Sequence, residues 1–314
     1  MPSDGAPVTL IPVVILTGRP GTGKTRLLNR FVDEICAASG VPAVITHRFA
    51  REFGLDLHPV REPPGVAVHR GEMFDFGSGC VCCSPTGEFT QHLLALKRVV
   101  ASAAAEGDSR GAPRPPTCLI IETTGLAEPA LFTRILCTHP EVVDTFRLEA
   151  VVTLADRGLL GLARDSGSVT AQRARQQLRA AHVIGLRACG TAEADEVRAA
   201  VGALLDEGHA HAPAVAVDEL TWAEAVRRGR QASAHEAGHQ AEEAQGVCEV
   251  NLVNLSGHDN SFDTLCLMDE APVHAAHVER FVRALVELGT AAPSTLMRIK
   301  GVVSVSPPAL DGGE

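Results

Sequence analysis

Three short stretches carry the residue types that do chemistry: "GRPGTGKT" at 18–25, "GCVCC" at 79–83 and "CLIIETTGLAEP" at 118–129. The first fits G-x-x-x-x-G-K-[ST] in full, and it stands between an apolar run and a helical pattern, the context that motif requires. Its glycines let successive backbone N–H groups turn inward around phosphate oxygens, and the following helix adds its positive end. Gly18, Gly21, Thr22 and Gly23 would form the cradle. Lys24 would reach the β- and γ-phosphates of a nucleotide, and Thr25 would set its hydroxyl on Mg²⁺.

A phosphate loop also needs a carboxylate at the end of a neighbouring strand. The run "CLIIE" ends at Glu122, placed to hold the Mg²⁺ shell or to orient an attacking water, and Gly125 follows, whose N–H is suited to sensing the γ-phosphate. Lys24 and Glu122 are the candidate catalytic residues. The second stretch puts Cys80, Cys82 and Cys83 into four consecutive positions. Cys80 and Cys82 point to one side of an extended backbone, and a turn at Cys83 brings its sulfur to the same ion. Soft thiolates select Zn²⁺, Cu(I) or similar ions over Mg²⁺. Structural zinc sites close their tetrahedron with four protein ligands. Three local sulfurs leave a position open.

The elements that must position these residues follow from the apolar pattern of the 314-residue chain. Short apolar runs at 8–16, 41–46, 117–122, 149–155, 182–186 and 212–217 alternate with helical patterns at about 24–38, 87–105, 169–181, 193–206 and 221–230. That alternation predicts an α/β domain over 8–230, with a mainly parallel sheet covered by helices. The polar, Ala-rich stretch 231–246 reads as a linker. Strand, strand, helix and strand patterns over 247–306 predict a small α+β C-terminal domain.

The net charge of −10 excludes an extended basic footprint for nucleic acid. The apolar run near the start is too short to span a bilayer and no basic segment precedes it, so a cytoplasmic protein is expected. Nine cysteines without framework spacing suit reduced thiols. Cys36, Cys118, Cys137, Cys189 and Cys266 read as small core residues; Cys248 is given no role.

With "GRPGTGKT", "GCVCC" and "ETTGLAEP" in this order, the chain resembles the CobW family of P-loop GTPases, which act as metallochaperones and metal-insertion factors. The likeness runs from about residue 10 to 305. It takes in "CTHPEV" around His139, "VVTLAD" at 151–156 and a terminal strand like "RIKGVV". The resemblance implies a nucleotide-hydrolysing protein that binds a thiophilic divalent ion, zinc foremost, at the C-x-C-C motif and passes it to a client. GTP is the implied substrate and Mg²⁺ the implied cofactor. The expected partners are a nucleoside triphosphate and a metal-receiving protein, with a homodimer left open; neither nucleic acid nor a membrane is expected.

The chain departs from the family pattern at two places. Where relatives carry an N-E-F-G-E-like segment it has "THRFAREFGLD", with Glu52 and Asp56 as the available acids. Where a guanine-reading N-K-x-D would stand it has Arg187, Ala188, Cys189 and Gly190. An Asp carboxylate there accepts both guanine N–H groups, so GTP over ATP is not secured without it. His209, His211, His235 and His239 are weak candidates for gathering metal, the last two sharing a face if helical. The competing readings are a P-loop ATPase or small-molecule kinase with incidental cysteines, and a non-hydrolysing nucleotide-binding module.

Overall fold

The computed structural model describes residues 10–48, 68–74, 87–106, 114–164, 167–188, 190–205, 212–240, 273–291 and 305–306. Seven strands form one sheet: β1 (Ile11–Gly18), β2 (Pro42–Arg48), β3 (His69–Phe74), β4 (Cys118–Glu122), β5 (Phe146–Asp156), β6 (Val183–Arg187) and β7 (Ala214–Ala216). Their order is β3-β2-β4-β1-β5-β6-β7, and every pairing is parallel. The expected α/β class is the observed one.

Parallel strands covered on both faces must be apolar at consecutive positions, not at alternate ones. In β1, Val13, Val14, Ile15 and Leu16 are all fully buried. Val13 and Ile15 join one core with Phe89, Leu93 and Phe132, while Val14 and Leu16 join the opposite core with Leu28 and Phe31. The first core is roofed by α2 (Glu88–Glu106) and α3 (Pro129–Thr138). The second is roofed by α1 (Lys24–Ala37), whose buried residues Leu27, Leu28, Phe31, Val32 and Ile35 keep helical spacing. A third cluster packs α4 (Leu159–Arg164), α5 (Val169–Arg179) and α6 (Thr191–Leu204) around Ala155, Ile184 and Leu186.

The helix α7 (Trp222–Gln240) returns to the α1 face. Its Trp222 meets Phe31 edge-on at 5.9 Å, and the Glu34 carboxylate accepts the Trp222 N–H at 2.6 Å, capping the helix start. Further along, Glu149 at the amino end of β5 is buried and receives Arg230 Nε at 2.7 Å and Arg147 Nε at 2.7 Å. Helix and strand approach so closely there that a Cβ on Gly229 would stand 1.9 Å from the Glu149 carbonyl oxygen.

The sequence expectation lacks β3, α3 and the six-residue α4, the first two for readable reasons. The strand β3 is an edge strand, "HRGEMF", with no apolar run to announce it. The helix α3 is short, and its signals are Pro129 in the first turn followed by Phe132, Ile135 and Leu136. In addition, α7 continues to Gln240, so the stretch expected to be a linker begins as helix; Ala, Gln and Glu are good helix formers. This puts His235 and His239 one turn apart in a continuous helix.

Of the expected C-terminal domain, β8 (Val273–His274), α8 (Ala275–Ala291) and β9 (Val305–Ser306) are described, the two strands pairing in parallel. Its other expected strands lie outside the described residues. No helix among the described residues is long and apolar enough to cross a membrane.

Candidate functional site

The loop after β1 turns back on itself at Gly18, Gly21 and Gly23, with φ of 126°, 83° and 95°. Side chains with a Cβ rarely adopt these angles, so the glycines are what permit the turn. Gly23 caps α1 without any side-chain cap, and the first turn of α1 holds no acidic residue. The first N–H groups of that helix thus have no acidic side chain of the helix's own first turn beside them.

Lys24 curls over this loop, nearly buried, its Nζ donating to the carbonyl oxygens of Gly18 at 2.8 Å and Arg19 at 3.0 Å. The Thr22 hydroxyl donates to the Arg19 carbonyl at 2.9 Å. The Thr22 side chain therefore braces the loop. Thr25 Oγ1 donates to Glu122 Oε1 at 2.6 Å, so the hydroxyl that opens α1 and the carboxylate that ends β4 share one spot. These are hard oxygen donors, and the pair fits Mg²⁺ better than a soft ion.

The turn after Glu122 is locked from two sides. Thr123 N donates to the Leu16 carbonyl at 2.9 Å, which ties the turn to β1. Gly125 lies so tightly on the loop that a Cβ would stand 2.3 Å from Pro20 N. From α5, the buried Gln177 amide donates to the carbonyls of Gly125 at 3.1 Å and Ala127 at 3.0 Å. The Thr124 Oγ1 in this turn is buried and has no hydrogen-bond partner among the described residues. A buried hydroxyl without a partner is costly unless a ligand or water answers it.

Three residues at this edge have roles that the sequence reading had not given them. Asp156 ends β5 on the other flank of β1, as Glu122 ends β4 on the first, and it accepts from Arg19 Nη1 at 3.2 Å and from Gly158 N at 3.1 Å. A carboxylate closing an apolar strand was the available signal. Arg187, at the end of β6, donates from Nη1 to the Gly21 carbonyl at 2.8 Å. Gln177 carried no local signal.

Cys80, Cys82 and Cys83 lie outside the described residues, as do Glu52, Asp56, Cys189, His209 and His211. The three cysteines fall in the sequence between β3, which ends at Phe74 beside Arg48 of β2, and α2, which begins at Glu88. Among the described residues no group of three or more His, Cys, Asp or Glu could hold a metal ion. Cys118 is a core thiol, its pKa pushed up to about 12 by burial, which suits neither a nucleophile nor a ligand. His139 follows α3 and accepts the Glu141 N–H on Nδ1 at 3.3 Å, a local turn contact.

Residues 12–216 match the family described as CobW/HypB/UreG, nucleotide-binding domain. The chain belongs to this family. Curated relatives are the zinc chaperone CobW of Pseudomonas aeruginosa, 31% identical over 149 residues, and the zinc chaperone YjiA of Escherichia coli, 28% identical over 147. Each match takes in 46% of this chain but 35% and 40% of those proteins, so the chain spans well under half of the curated relatives it matches. Among solved structures, zinc-bound YjiA GTPase from E. coli aligns with a TM-score of 0.48 and 18% identity, over 90% of this chain and 79% of that one. Nickel-bound HypB from Helicobacter pylori aligns with a TM-score of 0.37 and 14% identity, over 75% and 90% respectively. Within the CobW/HypB/UreG family match fall the whole glycine loop, the Cys80–Cys83 run, Glu122 and Arg187.

Proposed function

We propose that this chain binds and hydrolyses GTP, and that the nucleotide cycle loads and releases a zinc ion held by Cys80, Cys82 and Cys83 for a client protein. The observation that carries the nucleotide half is the start of α1: a helix N-terminus with no side-chain cap and no acidic residue in its own first turn, framed by Lys24, with Thr25 and Glu122 2.6 Å apart beside it. An anion with an associated hard cation satisfies all of these groups together.

In this reading the backbone N–H groups of residues 21–25 bind and orient the phosphates, and Lys24 leaves the Gly18 and Arg19 carbonyls to neutralise the β- and γ-oxygens. Thr25 and Glu122 would hold Mg²⁺, which when bound supplies charge compensation on those same oxygens. Glu122 also orients a water in line with the γ-phosphorus. Attack forms the new P–O bond as the bond to the β-phosphate oxygen breaks, giving GDP and inorganic phosphate, and the water's protons pass to the phosphate and solvent. The Gly125 turn, pressed on Pro20 and pinned by Gln177, registers whether a γ-phosphate is present.

Zinc is cargo in this scheme. Three thiolates on the segment between β3 and α2 bind it tightly while leaving a coordination position for a client's ligand. The names of the curated relatives support zinc as the ion. Two measurements test the proposal. The first is phosphate release from GTP by wild type and Lys24→Ala. The second is zinc titration of wild type and a variant with serine at positions 80, 82 and 83, each with and without a non-hydrolysable GTP analogue. Turnover that survives Lys24→Ala removes the nucleotide half, and equal zinc affinity in the two proteins removes the metal half.

A further inference from the structure

The proposed nucleotide site rests on phosphates in the glycine loop, and the sheet order then fixes where the nucleoside must go. Ligands of open parallel sheets lie along the carboxyl edge of the strands. The γ-phosphate end is set on the β4 side of β1 by Thr25 and Glu122. A nucleotide running the other way from the loop passes over the ends of β5 and β6, and at the end of β6 stands Arg187.

Arg187 is held where a base would lie. Its Nη1 donates to the Gly21 carbonyl, and the same atom is 3.6 Å from where a Cβ on Gly23 would stand, so the guanidinium lies across the rim of the loop. Among the described residues it forms no ion pair, and it is exposed. The nearest strand-end carboxylate, Asp156, is its register neighbour in β5 but is occupied by Arg19 and the Gly158 N–H. Among the described residues this rim therefore offers a guanidinium with N–H groups to spare, while Asp156 Oδ1 is already taken by Arg19 and Gly158.

The geometry points to Arg187 as the residue that selects the base, by donating to acceptors on the purine edge that carries N7. Guanine presents two adjacent acceptors there, O6 and N7, and arginine pairs with both at once. Adenine presents N7 beside an amino group, which meets an arginine N–H donor against donor. Arginine cannot accept from the guanine N1–H or 2-amino group, because its side chain holds donors only. The selection is thus for a 6-oxopurine, and it ignores the 2-amino group.

Nucleotide analogues separate this mode from any other. Dissociation constants for GTP, ITP, ATP and 7-deaza-GTP, each with Mg²⁺, are measured by calorimetry on the full chain and on Arg187→Ala. In wild type, GTP and ITP should bind within about twofold of each other and about tenfold more tightly than ATP, with 7-deaza-GTP weaker than GTP. In Arg187→Ala, GTP, ITP and ATP should converge to within about twofold. A GTP-to-ATP ratio unchanged by Arg187→Ala would overturn the assignment, because a residue that merely braces Gly21 weakens every nucleotide alike. ITP binding as weakly as ATP to wild type would overturn it too, since the base would then be read at its 2-amino group. If none of the four bound wild type, the nucleotide reading itself would fall, and this proposal with it.

Discussion

Thr25 Oγ1 and Glu122 Oε1 lie 2.6 Å apart although 97 residues separate them in the chain. The contact exists because β4 pairs directly with β1, with Leu16 beside Glu122, so the end of β4 stands next to the first turn of α1. In the proposed mechanism it joins the phosphate cradle to the residue that orients water, and it divides binding from turnover.

That division is measurable. Glu122→Gln should keep GTP affinity within a few fold while slowing phosphate release about a hundredfold, since the amide retains the shape of the carboxylate without its charge. Lys24→Ala should lose both affinity and turnover. Single-turnover phosphate release, with affinities measured separately, checks both expectations. Equal loss of affinity in the two variants would mean that Glu122 serves binding alone.

In the proposed metal site the thiols of Cys80, Cys82 and Cys83 must lose protons to bind zinc, so zinc affinity should fall as pH drops below the ordinary thiol range, about 8.5. Coupling to nucleotide is reciprocal. If a GTP analogue tightens zinc about tenfold, zinc must tighten the analogue tenfold, about 1.4 kcal/mol in each direction. Competition with a chelating dye between pH 6 and 8.5, with and without analogue, measures both effects. A flat pH dependence would exclude thiolate ligands.

Gly125→Ala should act on the loop rather than on the fold. The added Cβ falls 2.3 Å from Pro20 N, which is backbone and cannot swing aside, so the loop must shift. A displacement of about 1 Å at a phosphate site costs about a hundredfold in rate. Thermal unfolding within a few degrees of wild type, beside GTP turnover down by that factor, is the expected pair of results. Normal turnover would show that the Gly125–Pro20 contact has no part in the site.

Far from the cradle, Glu149 ties α7 to the sheet. Burial alone would raise its pKa, but the Arg230 and Arg147 guanidiniums more than offset that and hold it below the ordinary glutamate value. A carboxyl depressed in the folded state contributes stability that is present above its unfolded pKa and lost as pH falls through the folded one. Wild type should therefore weaken progressively below about pH 4.3, the ordinary glutamate value. Arg230→Ala should cost about 2 kcal/mol at pH 7 and lose less further stability below about pH 4.3 than wild type does, because the depression of the Glu149 carboxyl that acid removes is already reduced. Urea denaturation from pH 3 to 7 for both proteins checks the size and the sign.

The sequence alone determined the strand–loop–helix around Lys24, the alternating α/β pattern and the strand ending at Glu122, because each is written in contiguous residues: a glycine spacing or an apolar run of set length. It missed β3, whose edge position asks for no apolar run, and α3, whose ten residues offer few turns of periodicity. Only the tertiary structure decided which side chains meet the loop. Arg19 and Asp156 are 137 residues apart, Arg187 and Gly21 166, and Gln177 and Gly125 52. These meetings depend on β1 lying between β4 and β5 with β6 next in line, and parallel strand order is set by how crossover helices pack on the two faces of the sheet. No local periodicity encodes that order, so the sequence left the base open where the folded chain lays a guanidinium across the rim of the loop.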